Sequence, residues 1–175
     1  MVLIEGGEHW LATNNSKNDT SQTQIVQLDC YYMNKYLVTQ RLFELVMEKN
    51  PSYFRGKHRP VEQVDWYDAV KFCNTLSVMM GLEPFYRIVE DNKASNIKNI
   101  LDVKKWQVKI NKDSKGYRLP IESEWEYAAM GGKYVNKNFK FSGSKKLEKV
   151  GWYDGNSHQE SKEVGLKEPN QLGLY

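Results

Sequence analysis

The sequence is poor in several residue types, and each shortage removes a class of protein. Its 175 residues include two cysteines, Cys30 and Cys73, too few for a disulfide framework and in no Cys-x-x-Cys pair that would suggest a zinc site. One disulfide or two buried thiols are both compatible with that count. Arginine is scarce as well: five of the 25 basic residues are Arg, against 20 Lys and 14 Asn. A nucleic-acid surface would call for arginine forks, so this bias reads as the codon usage of an AT-rich genome, and no nucleic-acid partner is expected. There is no run of 18 apolar residues to cross a membrane, and Met1–Gly7 is too short and too acidic for the apolar region of a signal peptide.

What remains is the composition of a folded protein. Apolar residues make up 40% of the chain, charged residues 27% and aromatics 13%, enough large side chains to build a core for one domain. The net charge is only +3, a weak pull toward polyanions.

Local patterns divide the chain into mixed elements. Val2, Ile4, Val26, Leu28, Tyr32 and Tyr36 fall among polar residues at nearly alternate positions, which predicts half-buried strands, with residues 13–23 as a polar loop. Thr39 is placed to cap a helix whose apolar face is Leu42, Leu45 and Val46, stopped by Asn50-Pro51. Asp65 caps a second helix ending at Gly81, with Trp66, Ala69, Val70, Cys73 and Leu76 at core spacing. Cys73 is therefore read as a packed thiol. FYRIV and WQVKI predict two strands around a solvated insertion rich in Asn and Lys, and a short helix enters through Pro120 and closes at Gly131-Gly132. Beyond Lys133, where six lysines occur up to Lys149, no helical period persists. Few helices, short strands and many loops make this an α+β protein, expected to form a single domain over residues 1–175.

Seven segments, in this order, carry a resemblance: KYLVTQRLFELVMEKNPSYF, RPVEQVDWYDAVKFCNTLS, GLEPFYRI, GYRLPIESEWEYAAMGG, FSGS, VGWYDGNS and VGLKEPNQLGLY. Together they resemble the sulfatase-modifying-factor family, the formylglycine-generating enzyme domain, over nearly the whole chain. The resemblance implies an elaborated C-type-lectin-like fold. It also implies that the family continues past LGLY through an Asp-Met-x-Gly-Asn-Val-Trp-Glu-Trp segment, so that these residues correspond to the front portion of the family domain. Ile121 stands where the family often has a capping Thr, which leaves Ser123 to cap one turn later or the helix to fray.

Two functional classes follow. Oxidising members convert a sulfatase cysteine to formylglycine with copper held by a cysteine pair. Cys30 and Cys73 do not match that pair, so the activity would require cysteines outside this chain; no catalytic residue is assigned and copper is not expected. The related iron-dependent sulfoxide synthases need a histidine cluster, whereas His9, His58 and His158 are isolated in sequence. Calcium is a further cofactor suggested by the resemblance, though VGWYDGNS offers no clear match to its ligands. The second class is a recognition scaffold. Trp152, Tyr153, Asp154, Asn156 and His158 form the candidate ligand surface, able to stack on and hydrogen-bond a sugar or a protein loop; the plainer alternative is that Trp152 and Tyr153 are core aromatics. Arg118, Glu122, Glu124, Trp125 and Glu126 are read as a structural polar network, with Trp125 and Tyr127 contributing buried area. An apolar end such as LGLY adds a third expectation: homo-oligomerisation, or completion by another chain.

Overall fold

The computed structural model describes residues 1–13, 22–90 and 106–175. The predicted Asn/Lys-rich insertion over 91–105 and most of the polar loop lie outside them. Six strands, five helices and one 3-10 turn are described, with the strands forming three antiparallel pairs. The chain divides into two compact units: residues 1–42, 51–62 and 120–175 form the first, and residues 43–50 and 63–119 the second.

The first unit is built on two antiparallel strand pairs. β1 (Val2–Ile4) pairs with β4 (Tyr31–Met33), and β2 (Gly7–Thr13) pairs with β3 (Gln22–Leu28). Alternation sorts their faces: Ile4 and Leu28 are buried, whereas Leu3 and Tyr32, partners across β1–β4, are exposed, as are the partners Trp10 and Ile25 across β2–β3. Tyr36, expected in a strand, lies beyond β4 and rests its ring on Tyr175 at 5.0 Å.

Helix α3 (Glu122–Ala129) supplies the rest of this core, with Ile4, Leu28, Tyr127, Ala128 and Leu174 packed together against Val2, Val26, Tyr31, Met33 and Leu172. Its start differs from expectation. Ser123 is not the cap but a buried residue inside the helix; Ile121 takes the cap position, and the Glu124 carboxylate accepts its backbone N–H at 3.0 Å. The carboxylate supplies one half of a capping box, and the half that a Thr hydroxyl would supply to the first-turn N–H groups has no counterpart in the Ile121 side chain. Trp125 is 60% exposed, so of the two aromatics expected to add buried area only Tyr127 does. After α3 come the 3-10 turn Gly132–Tyr134 and two single-turn helices, α4 (Leu147–Val150) and α5 (Asp154–Ser157).

Helix α1 (Gln40–Met47) begins in the first unit and ends in the second. Thr39 Oγ1 accepts the Leu42 N–H at 3.3 Å, the expected cap. In the first unit Gln40, 1% exposed, donates its amide to the Phe54 carbonyl at 2.7 Å and accepts the Gly56 N–H at 3.1 Å. In the second unit the buried face is Phe43 and Val46, not the predicted Leu45, which is 68% exposed. Phe43 stacks on Phe72 at 5.5 Å, and that contact decides which side of the helix turns inward.

Phe72 belongs to α2 (Trp66–Met79), which carries a reciprocal cap: Asp65 accepts the Asp68 N–H at 2.8 Å and Asp68 accepts the Asp65 N–H at 3.4 Å. Gly81, at φ +70°, ends the helix while Leu82 N–H returns to the Ser77 carbonyl at 2.8 Å. Tyr67, Val70, Cys73 and Ser77 form the buried stripe, whereas Trp66 is 52% exposed, a correction to the predicted face by one residue. β5 (Tyr86–Val89) and β6 (Gln107–Ile110) are paired where FYRIV and WQVKI predicted strands. Asn74 clamps β5 to α2, donating to the Tyr86 carbonyl at 2.6 Å and accepting the Tyr86 N–H at 3.1 Å.

Candidate functional site

The Trp152–His158 segment belongs to the first unit and is held by its own backbone. Tyr153 precedes α5, and its N–H donates to Asn156 Oδ1 at 2.9 Å. The same Asn156 donates from Nδ2 to the Gly151 carbonyl at 3.1 Å, so its amide serves as a brace with both ends occupied. α5 stops at His158, which sits at φ +53°, and Gln159 follows at φ +57°. Two consecutive non-glycine residues in the left-handed region store roughly 1–2 kcal/mol each.

Trp152 and Tyr153 are each 41% exposed, too open for core aromatics. One face of Trp152 is occupied, with Lys167 Nζ at 3.9 Å from its ring centroid; the same ammonium donates to the Glu148 carbonyl at 2.5 Å. Lys149 and Glu168 form an ion pair at 3.0 Å, and the Glu168 N–H donates to the Lys149 carbonyl at 2.9 Å. α4 and Trp152 just beyond it are thus tied to the 167–168 stretch, and the braced loop that follows carries the exposed Trp152, Tyr153, Asp154 and His158.

Contacts are described for several of the residues expected as a polar network. Glu124 is buried and caps α3, while Tyr31 Oη donates to the Glu124 carbonyl at 2.6 Å, fastening β4 to the helix. Glu126 pairs with the buried His9 at 3.1 Å, and His9 stands edge-on to Tyr127 at 6.0 Å. His9 is isolated in sequence because its partner lies 117 residues away. Glu122 is exposed in the first turn of α3. Arg118 belongs to the second unit, where its guanidinium donates to the Leu119 carbonyl at 3.1 Å and lies over the Phe85 ring at 5.7 Å.

Among the described residues, donors for the metals that the resemblance suggested are few. Both cysteines are free; Cys30 is exposed, and burial pushes the Cys73 thiol up to about 11, which keeps it protonated at neutral pH and a poor ligand for Cu(I). Calcium needs six or more oxygens, yet Asp154 is the only carboxylate between Gly151 and His158, and Asn156 is committed to the backbone. Among the described residues no three His, Cys, Asp or Glu side chains gather closely enough to hold a metal ion.

Short strand pairs, few helices and long braced loops define a C-type-lectin-like α+β protein. The chain belongs to the sulfatase-modifying factor enzyme 1-like domain family, whose profile matches residues 1–175. It is 40% identical over 192 residues to the protein named chaperone protein LppX of Paenibacillus barcinonensis, matching with all of its length and spanning 66% of that relative. Among solved structures it is similar to Treponema denticola variable protein 1, at a TM-score of 0.78 and 34% identity, covering 100% of this chain and 68% of that one. The structure titled CarF shares the fold at a TM-score of 0.71 and 24% identity, covering 99% and 75%.

Proposed function

We propose that this domain is a non-catalytic recognition module that presents Trp152, Tyr153, Asp154 and His158 to a protein ligand. The observation that carries the reading is the exposure of two adjacent aromatics on a loop locked by Asn156. A large, stiff aromatic surface binds at little cost in side-chain entropy, and the polar tips beside it supply hydrogen bonds that fix orientation. The relative named as a chaperone supports a protein as the ligand.

The test is protection of a model client. Light scattering from reduced insulin, whose B chain aggregates, should rise more slowly with the wild-type domain than with Trp152→Ala/Tyr153→Ala, both folding equally by circular dichroism. Equal protection by the two, or none by either, removes the reading. Glycan-array binding lost in the same variant without insulin protection would turn the surface to sugars instead.

A second reading, self-association, is favoured by the exposed apolar pairs Leu3–Tyr32 and Trp10–Ile25 on the outer faces of the strand pairs. Sedimentation equilibrium tests it: a monomer at all accessible concentrations counts against it, and a dimer dispersed by Trp10→Gln/Tyr32→Gln supports it.

A further inference from the structure

The most basic stretch of the chain lies just before the aromatic loop. Residues 133–150 hold six lysines, at 133, 137, 140, 145, 146 and 149, against one acid, Glu148, and so are more positive than the whole chain at +3. All six are exposed. The two at the ends are neutralised within the molecule, Lys133 by Glu5 and Lys149 by Glu168. The four between them, Lys137, Lys140, Lys145 and Lys146, have no carboxylate partner among the described residues.

The backbone places two of these lysines on one turn. Phe141 and Ser144 exchange N–H to carbonyl bonds of 3.0 and 3.3 Å around a turn with Gly143 at φ +86°, so Lys140 and Lys145 flank that turn on opposite sides. Like charges held across an antiparallel pair repel. The turn is nonetheless fixed, because a side chain at Gly143 would lie 2.8 Å from Asn170 Cα, and Asn170 is buried. Two lysines flanking one fixed turn attract an anion more strongly than either does alone.

We infer that Lys137, Lys140, Lys145 and Lys146 form the docking surface for an acidic segment of a partner protein. The inference rests on the recognition reading and names the chemistry of its ligand. Carboxylates are what the neighbouring lysines already bind, since Lys133, Lys149 and Lys162 each pair with a glutamate. No arginine occurs after Arg118, so the forks that recognise phosphate and base edges are missing from this surface. Between Lys133 and Lys145 the apolar side chains are Tyr134, Val135, Phe139 and Phe141. Three of them have no polar tip for sugar hydroxyls, whereas such side chains suit a protein interface. Flexible, exposed ammonium groups steer an acidic partner over about a Debye length before the aromatics engage.

Fluorescein-labelled poly-L-glutamate is the probe, titrated by anisotropy against the full chain. Binding should weaken as salt rises, and Lys140→Glu/Lys145→Glu should lose about tenfold or more in affinity, two ion pairs of roughly 0.7 kcal/mol each being sufficient. Lys109→Glu/Lys112→Glu makes the same change in net charge at exposed positions of the second unit and should leave affinity within about twofold. No binding, an equal loss in both variants, or binding no tighter than that of polygalacturonate, heparin or a single-stranded oligonucleotide overturns the inference. Failure here with insulin protection still dependent on Trp152 and Tyr153 would leave the recognition reading standing. Binding of polyglutamate with no such dependence would do the reverse.

Discussion

Asn170 donates its amide to the Ala128 carbonyl at 2.8 Å, joining the last loop of the chain to the end of α3. The same amide reaches the Ala129 carbonyl at 3.3 Å and Ser142 Oγ at 3.2 Å, while Oδ1 accepts the Leu172 and Leu174 N–H groups at 3.0 and 3.2 Å. One buried side chain therefore satisfies the carbonyls of a helix end, orders the loop that places Leu174 in the core, and sits against the turn that carries Lys140 and Lys145.

Replacing Asn170 with Ala removes all of these bonds and takes the acceptor from the Leu172 and Leu174 N–H groups, while the Ala128 carbonyl keeps the Gly131 N–H at 3.1 Å. The expected loss is about 3 kcal/mol in urea unfolding. Asn170→Asp should cost at least as much, because a carboxylate cannot donate and would face the Ala128 carbonyl with its own negative charge. A loss below about 1 kcal/mol in both variants would show that water replaces the amide at little cost.

Cys73 and Cys30 should behave as two different thiols. Cys30 is exposed, and Cys73 is buried with its thiol pushed up to about 11. Iodoacetamide at neutral pH should label Cys30 and reach Cys73 only on unfolding. The folded state holds its proton at Cys73 longer than the unfolded state does, so its contribution to stability is full below the ordinary thiol range. That contribution declines as pH rises from about 9 to about 11, by roughly 2–3 kcal/mol. Cys73→Ala should flatten this alkaline decline; an unchanged slope would assign it to other groups.

These contrasts separate what a local pattern encodes from what a distant contact decides. The Thr39 and Asp65 caps were legible because each bond spans three positions, and β5 and β6 because each strand carries its own apolar pattern, although their partners lie 18 to 24 positions apart. The helix faces were legible only to within a residue: Phe43 displaces Leu45 because Phe72 waits on α2, and Trp66 and Trp125 stay outside although helical spacing alone placed Trp66 inward. The site follows the same rule. The segment Trp152–His158 stood out by composition, but the exposure of its aromatics depends on Lys167 and on the brace at Asn156. The role of Asn170 depends on a helix end 42 residues earlier, which no periodicity records.

His158 offers a way to divide stability from recognition. Its left-handed backbone disfavours a side chain, and glycine adopts the same conformation without that cost. His158→Gly should raise the free energy of unfolding by about 0.5–1 kcal/mol, after allowance for the greater freedom of the unfolded glycine. If the imidazole contacts the ligand, insulin protection should fall while the fold becomes more stable. A variant that loses both stability and protection would show that the side chain supports the loop.

Ser161 presents the opposite case to Asn170. Its hydroxyl is buried and has no hydrogen-bond partner among the described residues, although its carbonyl accepts from Arg59, which also pairs with Glu160 at 3.1 Å. A buried donor without a partner costs about 1–3 kcal/mol, and Ser161→Ala removes that cost while leaving the backbone carbonyl in place. The variant should therefore be as stable as the wild type or more stable by about 1 kcal/mol. Arg59→Met provides the comparison, since it takes a donor from the Ser161 carbonyl and a cation from Glu160, whose carboxyl is held below its ordinary range by Lys162 and Arg59. A depressed carboxyl contributes stability that is present above its unfolded pKa and lost as pH falls through its folded one. Arg59→Met should thus lower stability at neutral pH and shrink the acid-dependent part of the unfolding curve, whereas Ser161→Ala should leave that curve's shape unchanged. Destabilisation by Ser161→Ala would mean that the hydroxyl has a partner in solution, and a bound water would be the first to seek by high-resolution crystallography.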